Sequence, residues 1–172
     1  FGLLPFPAAW IAWVIITYAL WCWAGICAFP RLWPLVVIYP GALLAAGHAQ
    51  NGLLTGALLS AGAHLAVRRP LWSGAAIGAL VIKPHLALLL PFWLASGGRW
   101  RPFVAAAVTV LALLALSWAV FGSATMSAYT ASWEASATLM ERGRDEFLLR
   151  MTTFYSQIRL LAGEGAGQVA AV

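Results

Sequence analysis

The distribution of charge along the chain is the feature that most limits how it can fold. The first 133 residues contain no Asp and no Glu, and charged residues make up 9% of the 172 residues against 63% for hydrophobic ones. A soluble domain has about 25% charged residues, because its surface must be hydrated. So few charges cannot cover a water-exposed surface, and the sequence therefore predicts a protein whose outside contacts lipid.

Long apolar segments separated by short polar breaks fill the chain up to Phe121. They run from Ala8 to Phe29, Trp33 to Ala46, Leu53 to Val67, Leu71 to Ile82, Leu86 to Ser96 and Pro102 to Phe121. The first and last are long enough to cross a hydrocarbon core of about 30 Å at a rise of about 1.5 Å per residue. The sequence predicts an all-α, polytopic transmembrane helix bundle with short broken helices. We expect residues 1–172 to form a single membrane domain that is truncated at both ends.

Basic residues indicate how these segments are oriented. They lie in three breaks, at Arg31, at Arg68 and Arg69, and at Arg99 and Arg101. Short basic loops stay on the cytoplasmic side, which places the Gly47–Gly52 break outside and makes Leu71–Ser96 a hairpin that turns at Lys83. Pro84 favours that turn, because proline removes a backbone donor and disfavours helix in the residue before it. The alternative is one unbroken helix with Lys83 near its middle.

Residues 123–151 are more polar than the chain before them. Apolar side chains recur there at helical spacing, at Met126, Tyr129, Trp133, Ala137 and Met140. We expect an extracytoplasmic, outward-facing amphipathic segment. It would rest on the membrane surface as an interfacial helix or cover the mouth of a cavity.

Lys83 is the strongest candidate for a functional residue. A Lys inside a spanning segment costs about 2.5–3.5 kcal/mol on insertion scales, and such residues usually face a cavity and a partner. Because no acidic residue precedes Glu134, we expect Lys83 to bind an anionic ligand such as a lipid-linked phosphate. His85 would donate to the same phosphate or shuttle a proton. The alternative is that Lys83 extends to the outer head groups.

The Gly47–Gly52 break is the second polar site within the apolar part of the chain. The amides of Gln50 and Asn51 suit the recognition of sugar hydroxyls, and His48 is expected to join them. Alternatively, Asn51 caps the helix that follows. His64 is expected to pack against, or hydrogen-bond to, another helix. We expect no cofactor and no metal ion, because the sequence has no phosphate-binding loop and no Cys/His metal spacing.

A series of short motifs runs through the middle of the chain. In order, they are Ala49-Gln-Asn-Gly-Leu-Leu-Thr55, Arg69-Pro70, Gly78, Lys83-Pro84-His85, Pro91, Gly98-Arg-Trp-Arg101 and Phe121-Gly122. Over about residues 45–165, the chain resembles the bacterial family 87 glycosyltransferases, which are polytopic GT-C enzymes. The resemblance implies transfer of a hexose, mannose in the better-known members, from a polyprenyl-phosphate donor to a glycan or glycolipid acceptor. The reaction would take place at the outer face of the bacterial cytoplasmic membrane, with membrane lipid and no nucleic acid as partner.

The catalytic residue is not identified by the sequence. Transfer to a sugar hydroxyl needs a carboxylate base, and the resemblance implies that this base lies in an early outward loop. We therefore expect the base upstream of this chain, which alone would be inactive. Within the chain, nothing singles out Glu134, Glu141, Asp145 or Glu146. The alternative function is a non-enzymatic flippase of lipid-linked sugars or a small-solute transporter, which would also use broken helices and an intramembrane Lys.

Overall fold

The structure, a computed structural model, describes residues 4–142, and all regular secondary structure in that range is helical. The helices are α1 (Phe6–Ala28), α2 (Trp33–Val37), α3 (Pro40–Gly47), α4 (Gly52–Leu65), α5 (Pro70–Gly78), α6 (Pro84–Ala87), α7 (Leu90–Ser96) and α8 (Trp100–Arg142), with 3₁₀ turns at Pro30–Leu32 and Ala79–Ile82. The chain divides into two units, Phe1–Leu116 and Ser117–Val172.

Two helices among the described residues are long and apolar enough to cross a membrane. They are α1, with 23 residues, and Trp100–Tyr129 of α8, with 30 residues. Large apolar side chains on both helices are exposed, including Ile15 at 62% and Leu111 at 67%. Apolar surface that extends along a whole helix requires a lipid or protein neighbour, because water solvates it poorly. The predicted all-α membrane helix bundle is confirmed.

Helices α1 and α4 run parallel and pack closely. The indole N–H of Trp13 donates to the carbonyl oxygen of Ala49, just before α4, at 3.1 Å. Further along both helices, Trp21 packs on Gly56, where an added Cβ would lie 2.8 Å from the Trp21 ring. Glycine at this position lets the two helices approach each other closely.

The apolar segment from Trp33 to Ala46 is not one helix. It consists of α2 and α3, separated because Pro40 disfavours helix at Tyr39, whose ψ is 118°. Two side chains of α1 satisfy carbonyl groups left open at the end of α2. The Tyr18 hydroxyl donates to Val37, and the Trp21 indole donates to Val36 at 3.1 Å.

Helix α5 packs between α4 and α8. The Ser73 hydroxyl donates to the carbonyl oxygen of Gly62 at 2.6 Å, and α5 runs antiparallel to α4. On its other side, Gly74 lies against Ala105, and Gly78 lies against Thr109. Gly74 precedes Gly78 on α5, and their neighbours Ala105 and Thr109 follow each other in the same order on α8. The two helices are therefore parallel.

The chain reverses between α5 and α8, as the hairpin prediction requires. Lys83 has non-helical backbone angles, with φ −136° and ψ 80°. Arg69 and Arg101 line one groove at the start of α5 and of α8. An unbroken helix from Leu71 to Ser96 would separate these two arginines by the full length of that helix. The single-helix alternative is therefore wrong.

The first unit has two chemically different ends. The basic end carries the loops with Arg31, with Arg68 and Arg69, and with Arg99 and Arg101, because α1 and α4 end there and α5 and α8 begin there. The opposite end, here named the polar end, carries the Gly47–Gly52 break. That all three basic loops share one end agrees with the predicted topology.

The described part of the second unit, Ser117 to Arg142, is the remainder of α8. Gly122 interrupts the helix with φ 73° and ψ 170°, a conformation that glycine adopts without steric cost. The helix then resumes and continues to Arg142. The predicted amphipathic segment 123–151 is thus helical as far as residue 142, and residues 143–151 lie outside the described range. Its extracytoplasmic location stays a prediction.

Candidate functional site

The loop between α3 and α4 is held in place by its own backbone and by α1. The backbone N–H of Gln50 donates to Ala45 at 2.9 Å, and Ala49 has a positive φ of 50°. The Trp13 indole holds the Ala49 carbonyl oxygen. These contacts hold the backbone of the loop. The side chains of Gln50 and His48 are exposed.

Asn51 does not cap α4 through its side chain, so the capping alternative is wrong. Its side chain is half-buried and makes no cap hydrogen bond. Its carbonyl oxygen instead accepts from the backbone N–H of Thr55 at 3.0 Å and from the Thr55 hydroxyl at 3.2 Å. Within residues 4–142, the amide groups of Asn51 and Gln50 have no protein partner, and both can bind a hydroxyl-bearing ligand.

His48 has one of its ring nitrogens engaged. Nδ1 lies 2.9 Å from the carbonyl oxygen of Leu44, so this nitrogen carries the proton and donates. Nε2 then remains as the acceptor of the neutral ring. An exposed acceptor nitrogen beside two amides adds to the hydrogen-bonding capacity of the loop.

Lys83 lies at the turn of the broken hairpin. Its N–H donates to Leu80 at 2.8 Å, and its carbonyl oxygen accepts from Leu86 at 3.0 Å. The side chain is half-buried, and in the part of the chain that the structure describes it has neither a hydrogen bond nor an ion pair. His85 follows in the one-turn helix α6 and is exposed.

The structure brings the two polar breaks to the same end of the first unit. Ser73 and Gly62 are at one level in the antiparallel pair α5 and α4. Lys83 lies ten residues after Ser73, and Gly52 lies ten residues before Gly62. The stretch from Ser73 to Lys83 and the stretch from Gly52 to Gly62 each cover about 15 Å along the helix axes. The 3₁₀ turn Ala79–Ile82 also contacts α4. Lys83 therefore lies at the level of the loop that carries Gln50 and Asn51.

Both breaks lie inside the thickness that α1 spans. Trp13 is level with Ala49, and α1 continues from Trp13 to Phe6, which adds about 10 Å. Non-helical backbone at such depth persists only where it faces protein or a water-filled cavity. This principle predicts a water-filled recess at the polar end, beside the first two turns of α1.

An apolar cavity of about 590 Å³ borders the chain just before and just after the break that contains Lys83, and Lys83 itself does not line it. Its walls come from α5, α7, α8 and the chain on both sides of the break, and include Val81, Ala87, Leu88, Phe92, Phe103 and Val110. Leu94 is 1% exposed at its base, whereas Phe92 is 70% exposed at its edge. A cationic residue in a break whose flanking residues line an apolar cavity suits a ligand with an anionic head and a hydrocarbon tail.

Two residues behave differently from what the sequence indicated. His64 is exposed and has no hydrogen bond within residues 4–142, so the predicted packing or interhelical bond is wrong. Trp13 positions the site loop from another helix, and no pattern in the sequence distinguished it from the other tryptophans of the chain. The acidic side chains from Glu134 onward are not described.

Comparison with known proteins supplies the family. The model of glycosyltransferase family 87 matches residues 1–172, which is the whole chain. No significant match was found among the curated proteins or among the solved structures. A match over the full length is not explained by one shared motif. The helical membrane fold with short broken helices agrees with it, and the chain belongs to glycosyltransferase family 87.

Proposed function

We propose that this glycosyltransferase moves a hexose, with mannose as the first candidate, from a polyprenyl-phosphate donor to a glycan or glycolipid acceptor. The reaction would take place at the outer face of the bacterial cytoplasmic membrane. The charge of Lys83, which is unpaired within residues 4–142, is the observation that carries the proposal. Its ammonium group lies at membrane depth, and it has no counter-charge among the described residues. A phosphate in the recess would supply the missing anion.

The apolar cavity that borders the Lys83 break supports a lipid-linked donor over a nucleotide-linked one. Val81 and Ala87 line this cavity on either side of Lys83. A polyprenyl chain buries apolar surface there, with a gain of about 25 cal/mol per Å², while its phosphate reaches Lys83 and His85. A sugar nucleotide has no hydrocarbon tail and gains nothing from the cavity.

The loop before α4 supports recognition of the sugar. Gln50 and Asn51 each offer an amide that donates and accepts, and His48 offers an acceptor nitrogen. Sugar hydroxyls need both kinds of group. Because Trp13 holds the loop, these side chains are positioned before the ligand binds, which lowers the entropic cost of binding.

The proposed step is a displacement at the anomeric carbon. The acceptor hydroxyl oxygen forms the new bond to this carbon, and the bond from the anomeric carbon to the phosphate oxygen breaks. Polyprenyl phosphate leaves with the electron pair, and Lys83 and His85 stabilise the charge that develops on it. A carboxylate base takes the proton of the acceptor hydroxyl. The first unit does not supply this base, since the first 133 residues hold no carboxylate side chain.

A transfer assay tests the proposal. The complete protein, reconstituted in vesicles, is given a radiolabelled polyprenyl-phosphate hexose and an acceptor glycolipid. We expect label in the glycolipid, and no label when the same hexose is supplied as a sugar nucleotide. Label that crosses the bilayer on its polyprenyl carrier without forming a new glycosidic bond would instead identify a flippase and overturn the proposal.

A further inference from the structure

The basic end of the first unit contains a second groove, far from the polar recess. Arg69, Pro70, Leu71, Trp72 and Arg101 line its mouth. Leu71 and Arg101 also line a cavity of about 610 Å³ that continues along α8 over Val104 and Val108 to Thr109. From Trp100 to Thr109, this lining extends about 13 Å along the helix. The groove is thus cationic at its mouth and apolar along its length.

The two arginines at the mouth have no anionic partner in the protein. Neither guanidinium has a hydrogen bond or an ion pair within residues 4–142, and the first 133 residues contain no carboxylate side chain. Arg99, the other arginine of this loop, already lies over the ring of Trp93, at 4.8 Å from its centroid. Arg69 and Arg101 are therefore available for a ligand.

The backbone adds to the positive potential at the mouth. Both α5 and α8 begin there, and the N-terminal ends of parallel helices direct positive dipole ends and unbonded N–H groups toward the same place. Trp72 and Trp100, which are 67% and 60% exposed, flank the arginines, as tryptophans do at the level of lipid head groups.

We infer that this groove binds an anionic phospholipid from the adjacent leaflet. The phosphodiester lies between Arg69 and Arg101, and one acyl chain follows α8 past Val104 and Val108. Basic pockets between transmembrane helices bind anionic head groups by the same charge complementarity. The mouth of the groove is separate from Lys83, because α4 and α5 place about 20 Å of helix between the two ends. The acyl-chain part of the groove, over Val104 and Val108, also differs from the donor cavity, which Phe103 and Val110 line.

Native mass spectrometry tests this inference by counting the lipid molecules bound to the protein. The complete protein is extracted in detergent and titrated with phosphatidylglycerol or phosphatidylcholine. We expect one phosphatidylglycerol to bind preferentially. Arg69→Gln and Arg101→Gln each lower the affinity about fivefold, and the double variant lowers it about thirtyfold. Arg68→Gln is the matched control, since Arg68 is exposed beside Arg69 and does not line the groove. If Arg68→Gln lowers the affinity for phosphatidylglycerol as much as Arg69→Gln does, binding depends on general surface charge, and the proposed site is wrong.

The acyl-chain part of the inference has its own test. Val108→Trp fills the groove from an exposed position, whereas Leu114→Trp adds the same ring to α8 outside the groove. We expect the first variant to lower phosphatidylglycerol binding at least tenfold and the second to leave it within twofold. Equal binding by both variants, or complete displacement of the lipid by millimolar glycerol phosphate, contradicts a site that holds an acyl chain.

Discussion

Replacement of Lys83 by Met tests the proposed donor site most directly, because it keeps the side-chain length and removes the charge. The other basic side chains of the first unit all lie at the basic end. They are Arg31, Arg68, Arg69, Arg99 and Arg101. They are about 20 Å away along α4, so none of them replaces the missing ammonium. Loss of one preorganised donor costs about 10²–10³ in kcat, and we expect Lys83→Met to lower transfer by that factor.

The stability of the variant separates a chemical role from a structural one. The Lys83 side chain has no bond within the described residues, so its removal breaks no contact there. Deletion of a charge at membrane depth favours insertion by at most about 2.5–3.5 kcal/mol. We therefore expect the thermal midpoint in detergent to stay constant or rise while activity falls.

The assay for Lys83→Met is the initial rate of hexose transfer from labelled donor by vesicles that contain equal amounts of protein. Two matched variants serve as controls. Lys83→Arg keeps the charge and should retain more activity than Lys83→Met, and Arg68→Met removes a charge at the basic end and should change the rate less than threefold. A Lys83→Met enzyme as active as the unaltered protein would falsify the phosphate role and favour a Lys that only reaches the head groups.

Three further predictions concern topology, packing and the site loop. In a cysteine-free background, Gln50→Cys should react with an impermeant thiol reagent from outside and Arg69→Cys should not; labelling of both from outside would contradict the topology. Gly78→Val should lower stability by about 1–3 kcal/mol, because an added Cβ would lie 2.6 Å from a carbonyl oxygen of α8, while Gly47→Ala, with nothing within 4 Å, should be neutral in the same thermal scans. Trp13→Phe removes the indole donor of the loop before α4 at a cost of about 1 kcal/mol. Amide exchange there should rise about fivefold, and unchanged exchange would show that other contacts hold the loop.

Local chemistry explains which elements were predictable from the sequence. The long apolar runs that became α1 and α8, and the breaks at Lys83 and Gly122, follow from residue-level preferences. Proline restricts the residue before it, and glycine accepts a positive φ. The same rule applied to Pro40 would have predicted the break between α2 and α3, since Tyr39 precedes it.

The candidate site was predictable only as separate pieces. Lys83 and the Gly47–Gly52 loop stand out in the sequence because polar groups are costly inside a membrane. Their shared level depends on the antiparallel packing of α4 and α5, in which Ser73 bonds to Gly62. That pairing joins residues distant along the chain, and no local pattern encodes it. Asn51 illustrates the same limit, since whether its amide caps a helix depends on its rotamer.

By itself, the sequence determined that the chain is a helical membrane protein, that its apolar segments are interrupted at Gly47–Gly52 and at Lys83, and which polar side chains lie in those two breaks. Composition and short-range backbone sterics depend only on each residue and its neighbours along the chain, so they can be evaluated from the sequence. Only the tertiary structure decided that Trp13 holds the site loop, that an apolar cavity borders the residues on either side of the Lys83 break, and that Arg69 and Arg101 share a groove. These features arise where helices meet, and the close approach of α5 to α8 depends on glycines whose neighbours lie about thirty residues further along the chain.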